Sequence, residues 1–339
     1  MIATNKEADY LSSGFAVNRA APVSGSRHKE IRKEAIIDNL LLPSGMLQVT
    51  GCSKAGKSWI LIQAALLVSN GKPVFGHQVK EPMKVLYFNG EICAKQMDAR
   101  VTEMAIHAGL SSENLHVLSR IGAGHTPSTK WHEIMSEAPE VAAAGYKVLV
   151  IDPISSTYDC GDGQSVDENS NDGIYKHLMK IREAFSEHGV AVMYAHHHTK
   201  SDNHGDAVNA GSGAGAFGRV ATAFIDMGSE NDSIKCKFKS RAFKQLNHIY
   251  VKPLSILDEE DEPSGVWFEQ MERTPIEDMI RDRILDYLKD NPESSKTKLC
   301  NEVTGKDARV REVVDDLVQS GVVIESRQGK SLIISLPAV

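Results

Sequence analysis

Eight consecutive residues have the composition and spacing of a loop that binds phosphate groups. They match the pattern G-x-x-x-x-G-K-[ST] and are Gly51, Cys52, Ser53, Lys54, Ala55, Gly56, Lys57 and Ser58. In such a loop the glycines let backbone N–H groups surround a phosphate, the lysine reaches the β- and γ-phosphates, and the serine hydroxyl binds Mg²⁺. We therefore predict a site for ATP and Mg²⁺ that extends to the next residue, Trp59.

The residues on either side of this loop have the pattern that the motif requires. Residues 46–50 form an apolar run typical of a buried strand, and residues 59–67 have the pattern of a helix. A helix that begins directly after the loop directs the positive end of its dipole at the phosphates. The alternative is a glycine-rich turn with a surface lysine, which this context disfavours.

A second residue for the metal follows another apolar run. Residues 148–151 are all apolar and lead to Asp152, and Pro153 favours an end of the strand at that point. A carboxylate there can hold Mg²⁺ through water beside Ser58. An aspartate after a strand is often only a turn residue, but its combination with the phosphate loop favours the metal role.

The elements that must position these residues have an α/β pattern. Continuous apolar strands alternate with helix-like runs from residue 36 to about residue 251, which predicts a mostly parallel sheet covered on both faces. Ligands then bind at the C-terminal ends of the strands. The predicted strands after the loop are residues 85–88, 115–118, 148–151 and 190–194, with antiparallel strands at 223–227, 233–239 and 248–251. We place this domain at 31–256, after a flexible arm at 1–30.

The last quarter of the chain has a different pattern. An acidic, proline-containing stretch at 257–263 predicts a linker and strand over 257–273. Residues 274–339 contain three helical patterns followed by two strands around a polar turn, which is the plan of a winged helix. We predict a small winged-helix domain there.

Basic residues of this small domain are candidates for contact with duplex DNA. The third helix begins with Lys306, Arg309 and Arg311, and the hairpin tip adds Arg327 and Lys330. Acidic neighbours dilute this basic face; they are Glu312, Asp315 and Asp316. The alternative is therefore a protein-docking domain with an ordinary charged surface.

Composition restricts the class of protein further. The chain has 339 residues, 41% of them hydrophobic, and a formal net charge of −7, so nucleic-acid contacts should be confined to one channel or one domain. Its five cysteines include no C-x-x-C pair, which argues against a disulfide framework or a zinc site. No run approaches the roughly 18 apolar residues of a membrane span, and the N-terminus lacks the plan of a signal peptide. We expect a cytoplasmic protein without membrane contact.

The order of several segments resembles the RepA-like ATPases of plasmids and phages, in the RecA/DnaB branch of hexameric motors. These segments lie between about residues 35 and 255 and are 37–45 before the phosphate loop, 85–91 with Arg100 downstream, 152–153, 167–169 and 196–200. The resemblance implies a RecA-type ATPase domain and a homo-oligomeric, helicase-like motor on DNA, with the hexameric ring that is typical of this family. Single-stranded DNA would lie in the ring, or duplex DNA on the winged helix.

The resemblance also gives roles to particular residues. Glu91 would be the base that orients the attacking water, at the end of the strand next to the phosphate-loop strand; a solvated turn glutamate is the alternative. His196 and His197, with Lys200, match an H-H-x-x-K pattern in which one histidine senses the γ-phosphate. Structural histidines remain an alternative, and a metal site is disfavoured because neighbouring strand residues point in opposite directions.

Ring motors of this kind also need an arginine from the neighbouring subunit. Lys239-Ser240-Arg241 has the K-x-R form, so Arg241 with Lys239 is the first choice and Arg219 the second. An ordinary basic surface cluster is the alternative for each. The glycine-rich segment 201–216 would line the channel, although Asp202 and Asp206 argue against strong DNA binding. Two other functions stay open: an ATPase that loads or remodels proteins, and a nucleotide-gated DNA-binding regulator.

Overall fold

The computed structural model describes most of the chain after residue 32. The described residues are 33–159, 165–168, 170–197, 214–230, 233–243, 246–271, 275–328 and 331–337. The predicted N-terminal arm, Lys200, residues 201–213 of the glycine-rich segment and Lys330 lie outside them.

Strands and helices alternate through the first two thirds of these residues. The strands are β1 Met46–Gly51, β2 Lys84–Cys93, β3 Leu115–Ile121, β4 Tyr146–Asp152, β5 Ala191–His197, β6 Ala223–Glu230, β7 Ser233–Ser240, β8 Ile249–Leu257, β9 Pro263–Met271, β10 Ser294–Ser295, β11 Ile324–Gln328 and β12 Ser331–Ser335. The helices are α1 Lys57–Ser69, α2 Ala94–Ala108, α3 Trp131–Ser136, α4 Ala138–Ala143, α5 Asn171–Ser186, α6 Ala214–Val220, α7 Pro275–Asp290, α8 Lys296–Glu302 and α9 Asp307–Gln319, with a 3₁₀ helix at Ile154–Thr157. Within the described ranges, the helices are too short or too polar to cross a membrane.

The first nine strands form one sheet in the order β3-β2-β4-β5-β1-β6-β7-β8-β9. The pairs from β3 to β6 are parallel, whereas the pairs from β6 to β9 are antiparallel. The predicted α/β class with a mostly parallel sheet is therefore confirmed. Parallel strands bring their carboxyl ends to one edge of the sheet, where β1, β4 and β5 end in Gly51, Asp152 and His197.

Each face of the sheet has its own hydrophobic core. Helices α1 and α2 cover one face, where Leu61 and Met104 pack with Val49 and Val150. Helices α5 and α6 cover the other face. Because both faces are buried, the central strands contain continuous apolar runs rather than alternating ones.

The acidic stretch predicted to lead into a linker is instead the turn of a hairpin. Residues 258–262 connect β8 and β9, and β9 is the edge strand of the large sheet. The Gln63 side chain in α1 accepts a hydrogen bond from the Phe268 N–H and donates one to its carbonyl oxygen, both at 2.8 Å. Residues 258–262 are therefore a turn and not a linker, because a cluster of charges is compatible with either, whereas the predicted strand is present as β9.

Residues 275–337 form a smaller unit with its own core. Helices α7, α8 and α9 pack around residues such as Ile284, Leu299 and Val314, and the strands form a sheet in the order β10-β12-β11. The predicted helices and hairpin are present. Lys306 is the N-cap residue of α9, and Asp307 is the first residue of the helix.

Candidate nucleotide-binding site

The phosphate loop connects the end of β1 to the start of α1. Gly56 is the N-cap residue of α1 and has a left-handed backbone, with φ at 85°. A Cβ atom at this position would lie 2.7 Å from Cζ of Phe268. Glycine is therefore required here for conformation and for space, and the loop is packed directly against β9.

The Lys57 side chain folds back onto the backbone of the phosphate loop. Its side chain is almost fully buried, and Nζ donates hydrogen bonds to the carbonyl oxygens of Gly51 and Cys52, both at 2.9 Å. Burial lowers the pKa of Lys57, while the charges of Asp152, Cys52 and Glu91 oppose that shift. The ammonium group thus lies within electrostatic range of the two carboxylates assigned to metal and water.

Ser58 and Asp152 meet at the edge of the sheet, as their predicted roles require. Ser58 Oγ donates to Asp152 Oδ1 at 3.2 Å, and the Asp152 side chain is buried. Burial raises the pKa of Asp152, although hydrogen bonds from Tyr87 and Ser58 favour the charged form. A hydroxyl and a carboxylate are hard oxygen ligands of the kind that Mg²⁺ prefers, so these residues fit that ion.

Tyr87 is a site residue that sequence reasoning missed. It is fully buried in the middle of β2, and its hydroxyl donates to Asp152 Oδ2 at 2.7 Å. Burial, together with the nearby Asp152 carboxylate, raises the pKa of Tyr87 well above its usual value, so the phenol keeps its proton. In the sequence Tyr87 is one apolar strand residue among several, and only the pairing of β2 with β4 brings it to Asp152.

The prediction that the strand of Glu91 lies next to the phosphate-loop strand is wrong. In the described sheet, β2 pairs with β3 and β4, and β5 lies between β4 and β1. Sequence order does not determine which strands become neighbours, because each crossover helix can return the chain to several positions in the sheet. Glu91 is nevertheless close enough for its charge to act on both Lys57 and Asp152. It remains the candidate base.

Local packing places Glu91 at an irregularity in β2. The register between β2 and β3 shifts between Asn89 and Cys93, and bulges of this kind often redirect a side chain beside a site. Asn89 supports the turn, since its Oδ1 accepts from the Ile92 N–H at 3.2 Å. At Gly90, a Cβ atom would lie 2.2 Å from the side chain of Ser156 in the 3₁₀ helix. The glycine therefore lets the segment after Asp152 pack against the residue that precedes Glu91.

Arg100 connects the element that follows Glu91 to the phosphate-loop helix. Its guanidinium carbon lies 4.4 Å from the centre of the Trp59 ring, which is within the range of a cation–π contact. Arg100 belongs to α2 and Trp59 to α1. The contact therefore joins the β2–α2 segment to the residue directly after Ser58.

The two histidines lie at the end of β5 beside the start of the phosphate loop. In the parallel register, His196 pairs with Thr50 and His197 pairs with Gly51. The His196 ring is buried and stacks on Phe217 of α6, with 3.7 Å between ring centres. His196 thus contacts the helix that follows residues 198–213. Among the described residues, the groups close enough to share a metal ion do not include His196.

Arg241, the arginine predicted to act on a neighbouring subunit, lies at the amino ends of the parallel strands, whereas the phosphate loop lies at their carboxyl ends. The Arg241 N–H donates to the Thr222 carbonyl, and Thr222 Oγ1 accepts from the Met46 N–H at the amino end of β1. The Arg241 guanidinium donates to the Gly218 carbonyl. The length of β1, roughly 17 Å, separates this edge from the phosphate loop, so Arg241 cannot serve the site of its own chain.

The other two basic candidates lie on β7 and near the end of α6. Lys239 pairs with Phe224 in the β6–β7 ladder. Arg219 is exposed at the end of α6, and its guanidinium lies 6.0 Å from the Tyr175 ring centre. The structure therefore groups Lys57, Ser58, Asp152 and Glu91 at the carboxyl ends of the strands, whereas Arg241 and Lys239 lie toward the amino end of β1.

The smaller unit contacts the large sheet through acidic residues. Lys235 of β7 forms an ion pair with Glu312 of α9, and His248 lies 4.0 Å from Asp316. Buried Glu277 of α7 accepts a hydrogen bond from the Tyr250 hydroxyl. Burial raises the pKa of Glu277, but hydrogen bonds from His248 and Tyr250 outweigh burial and lower it.

The basic residues predicted for DNA contact have different surroundings. Lys306, Arg311 and Arg327 are exposed, whereas Arg309 is half-buried. The acidic residues of α9 have two kinds of surroundings. Glu312 and Asp316 face the large sheet, whereas Asp315 is exposed and forms an ion pair with Lys296. Only part of the predicted basic face is therefore accessible.

A phosphate loop between a strand and a helix, with an acidic residue at the end of a nearby parallel strand, defines the class of P-loop nucleotide-binding proteins. The chain belongs to the AAA_25 family, described as an AAA domain, whose model matches residues 17–203, more than half of the chain. It therefore has an AAA-type P-loop ATPase domain, which suggests nucleotide hydrolysis. No curated protein matches the sequence.

Proposed function

We propose that this protein is an ATP-hydrolysing ring motor that acts on DNA, a replicative-helicase-like ATPase similar to the RepA-like enzymes of mobile elements. The observation that supports it is the convergence of Lys57, the Ser58–Asp152 pair and Glu91 at one edge of a parallel sheet. Lys57 binds the β- and γ-phosphates, and Ser58 and Asp152 hold Mg²⁺, which neutralises phosphate charge when bound. Glu91 accepts a proton from, or orients, the attacking water.

The position of Arg241 supports a ring. A single chain presents its phosphate loop at one edge of the sheet and Arg241 at the other. A head-to-tail contact that repeats and closes would bring the two edges of neighbouring subunits together. An arginine supplied in this way is worth about 10³ to 10⁵ in rate.

The topology of the smaller unit supports contact with DNA. Helix α7, strand β10, helices α8 and α9 and the β11–β12 hairpin follow one another in the order of a winged helix. Exposed Lys306, Arg311 and Arg327 are then available to phosphates. Because few basic side chains are available, we expect DNA binding to be weak and confined to this surface.

The decisive experiment measures the ATPase rate with and without single-stranded DNA. A ring motor requires strong stimulation, of about tenfold or more, and unwinding of a forked duplex in the presence of ATP. Hydrolysis that single-stranded DNA leaves unchanged would contradict the motor and leave the ATPase intact. The Lys57→Ala variant is the control for contaminating ATPases.

One observation favours a second candidate, an ATPase that loads or remodels other proteins. The acidic side of α9 is directed at the large sheet through Glu312 and Asp316, and acidic residues disfavour a major-groove contact at this helix. In the remaining alternative, a nucleotide-gated regulator, the smaller unit would bind DNA and not protein. Duplex binding that falls in a Lys306→Ala/Arg311→Ala variant supports DNA contact, whereas unchanged binding supports protein docking.

A further inference from the structure

Two hydrogen bonds fix the orientation of the Asp152 carboxylate. Ser58 Oγ donates to Oδ1 at 3.2 Å, and the Tyr87 hydroxyl donates to Oδ2 at 2.7 Å. A serine hydroxyl has one donor and two lone pairs, so Ser58 can keep this hydrogen bond while a lone pair binds an ion. The Tyr87 bond engages the other oxygen of the carboxylate and comes from a residue outside the phosphate loop.

Tyr87 itself has little freedom to move. It is fully buried, and its backbone pairs with Val117 of β3 and Val150 of β4. A side chain on a central strand, enclosed by the core beneath α1 and α2, holds its hydroxyl at a fixed point. A carboxylate bound to such a donor keeps one oxygen occupied and directs the other at Ser58.

We propose that Tyr87 is a positioning residue for the magnesium site: its hydroxyl holds Asp152 Oδ2 so that Oδ1 faces the ion bound at Ser58. This inference rests on the proposed nucleotide hydrolysis and names a residue that neither the motif nor the family match assigns. Hydrogen-bonded partners of metal ligands orient those ligands, and their loss typically weakens metal affinity about 10- to 100-fold.

The test compares two substitutions that each remove one buried hydroxyl. Tyr87→Phe removes the hydrogen bond to Asp152. Tyr194→Phe is the matched control, because Tyr194 is also fully buried in the sheet and donates to Gln48 Oε1 at 2.9 Å. Binding of a fluorescent ATP analogue is titrated at a series of Mg²⁺ concentrations, and once without Mg²⁺.

The proposal expects a specific change in the dependence on magnesium. In Tyr87→Phe the Mg²⁺ concentration for half-maximal binding should rise about tenfold, while affinity without Mg²⁺ stays at the wild-type value. Tyr194→Phe should match the wild type in both. If Tyr87→Phe and Tyr194→Phe give the same Mg²⁺ dependence, the proposal is overturned. If the wild-type protein shows no Mg²⁺-dependent binding, the proposed function fails instead.

A double substitution separates positioning from a general loss of stability. In an Asp152→Asn background, Tyr87→Phe should change the Mg²⁺ dependence no further, because the carboxylate that Tyr87 positions is gone. An additional shift of similar size in that background would contradict the proposal.

A measurement on the wild-type protein remains if Tyr87→Phe does not fold. Labelling tyrosine with ¹³C at Cζ gives signals that report on the hydroxyl, and Tyr194→Phe identifies the signal of Tyr194. With nucleotide present, addition of Mg²⁺ should move one buried tyrosine signal other than that of Tyr194. Buried signals that do not move would overturn the proposal.

Discussion

At the level of single residues, the candidate phosphate-binding lysine and the candidate base lie on different elements. Lys57 contacts the carbonyl oxygens of the phosphate loop, whereas Glu91 lies at a bulge in β2, which is separated from β1 by the two strands β4 and β5. The two side chains are nevertheless close enough to interact, since the charge of Glu91 opposes the lowering of the Lys57 pKa by burial. Substitutions at the two positions should therefore have different consequences.

We expect Lys57→Ala to weaken ATP binding by about 10- to 100-fold, because charge-assisted hydrogen bonds to the phosphates are lost. Glu91→Gln should bind ATP normally but lower the turnover rate by about 10²- to 10⁴-fold, since it removes the base. Equilibrium binding and single-turnover hydrolysis measure the two effects. Exposed Glu81→Gln is the control for Glu91→Gln. Hydrolysis by Glu91→Gln at the wild-type rate would show that another group is the base.

Gly90 gives a steric prediction at the same scale. Gly90→Ala places a methyl group against Ser156, and overpacking of this kind costs about 1–3 kcal/mol or more. We expect a lower midpoint of thermal unfolding and a lower turnover rate, because Glu91 is displaced. Ser156→Gly should partly restore both in the double variant. A Gly90→Ala protein as stable and active as the wild type would mean that the 3₁₀ helix yields without cost.

At the level of elements, the edge strand β9 is attached to the phosphate-loop helix. The Gln63 side chain hydrogen-bonds to the N–H and the carbonyl oxygen of Phe268, and the Phe268 ring lies against Gly56. Strand β9 also precedes α7, so one strand contacts the phosphate loop and leads to the smaller unit. A change in the conformation of the phosphate loop can therefore move β9 and, through it, the smaller unit.

Gln63→Leu tests this attachment. It leaves the buried N–H and carbonyl of Phe268 without their partner, at a cost of about 1–3 kcal/mol for each group. We expect a lower urea midpoint and faster amide exchange in β9. Gln270→Leu, at an exposed position of the same strand, is the control and should change neither. Exchange in β9 that Gln63→Leu leaves unchanged would show that the neighbouring strand β8 alone holds it.

At the level of the whole molecule, the separation of Arg241 from its own phosphate loop predicts assembly. Arg241→Ala and Glu91→Gln subunits should each be inactive alone, with Arg241→Ala at least about 10³-fold slower than the wild type. In a random one-to-one mixture, roughly one quarter of interfaces pair an intact Glu91 with an intact Arg241, and hydrolysis should recover in that proportion. Mixed rings that stay inactive would exclude a trans role for Arg241.

The ion pair between Lys235 and Glu312 joins the smaller unit to the large sheet. Lys235→Glu sets a new negative charge beside Glu312 and near Glu277, so α9 should separate from the large sheet. Amide exchange in α9 should then accelerate about tenfold or more, as expected for a loss of about 1.4 kcal/mol. The charge-reversed double variant Lys235→Glu/Glu312→Lys should restore protection. Equal exchange in the single and double variants would show that this pair does not hold the units together.

Much of the site follows from neighbouring residues in the chain. The phosphate loop, the strand before it, the helix after it and Asp152 at the end of an apolar run are all local patterns. Local spacing decides backbone conformation and which residues are buried, so these features could be read directly. The apolar faces of α7 and α9 were predictable for the same reason.

What the sequence alone determined is therefore the set of elements and the chemistry at their ends. Which elements become neighbours is visible only in the folded chain: β5 lies between β4 and β1, Tyr87 bonds Asp152, Phe268 of β9 lies against Gly56, and Arg241 lies at the amino end of β1. The physical reason is that the order of parallel strands depends on how each crossover packs over the whole sheet. That packing involves residues far apart in the chain, and no local pattern encodes it.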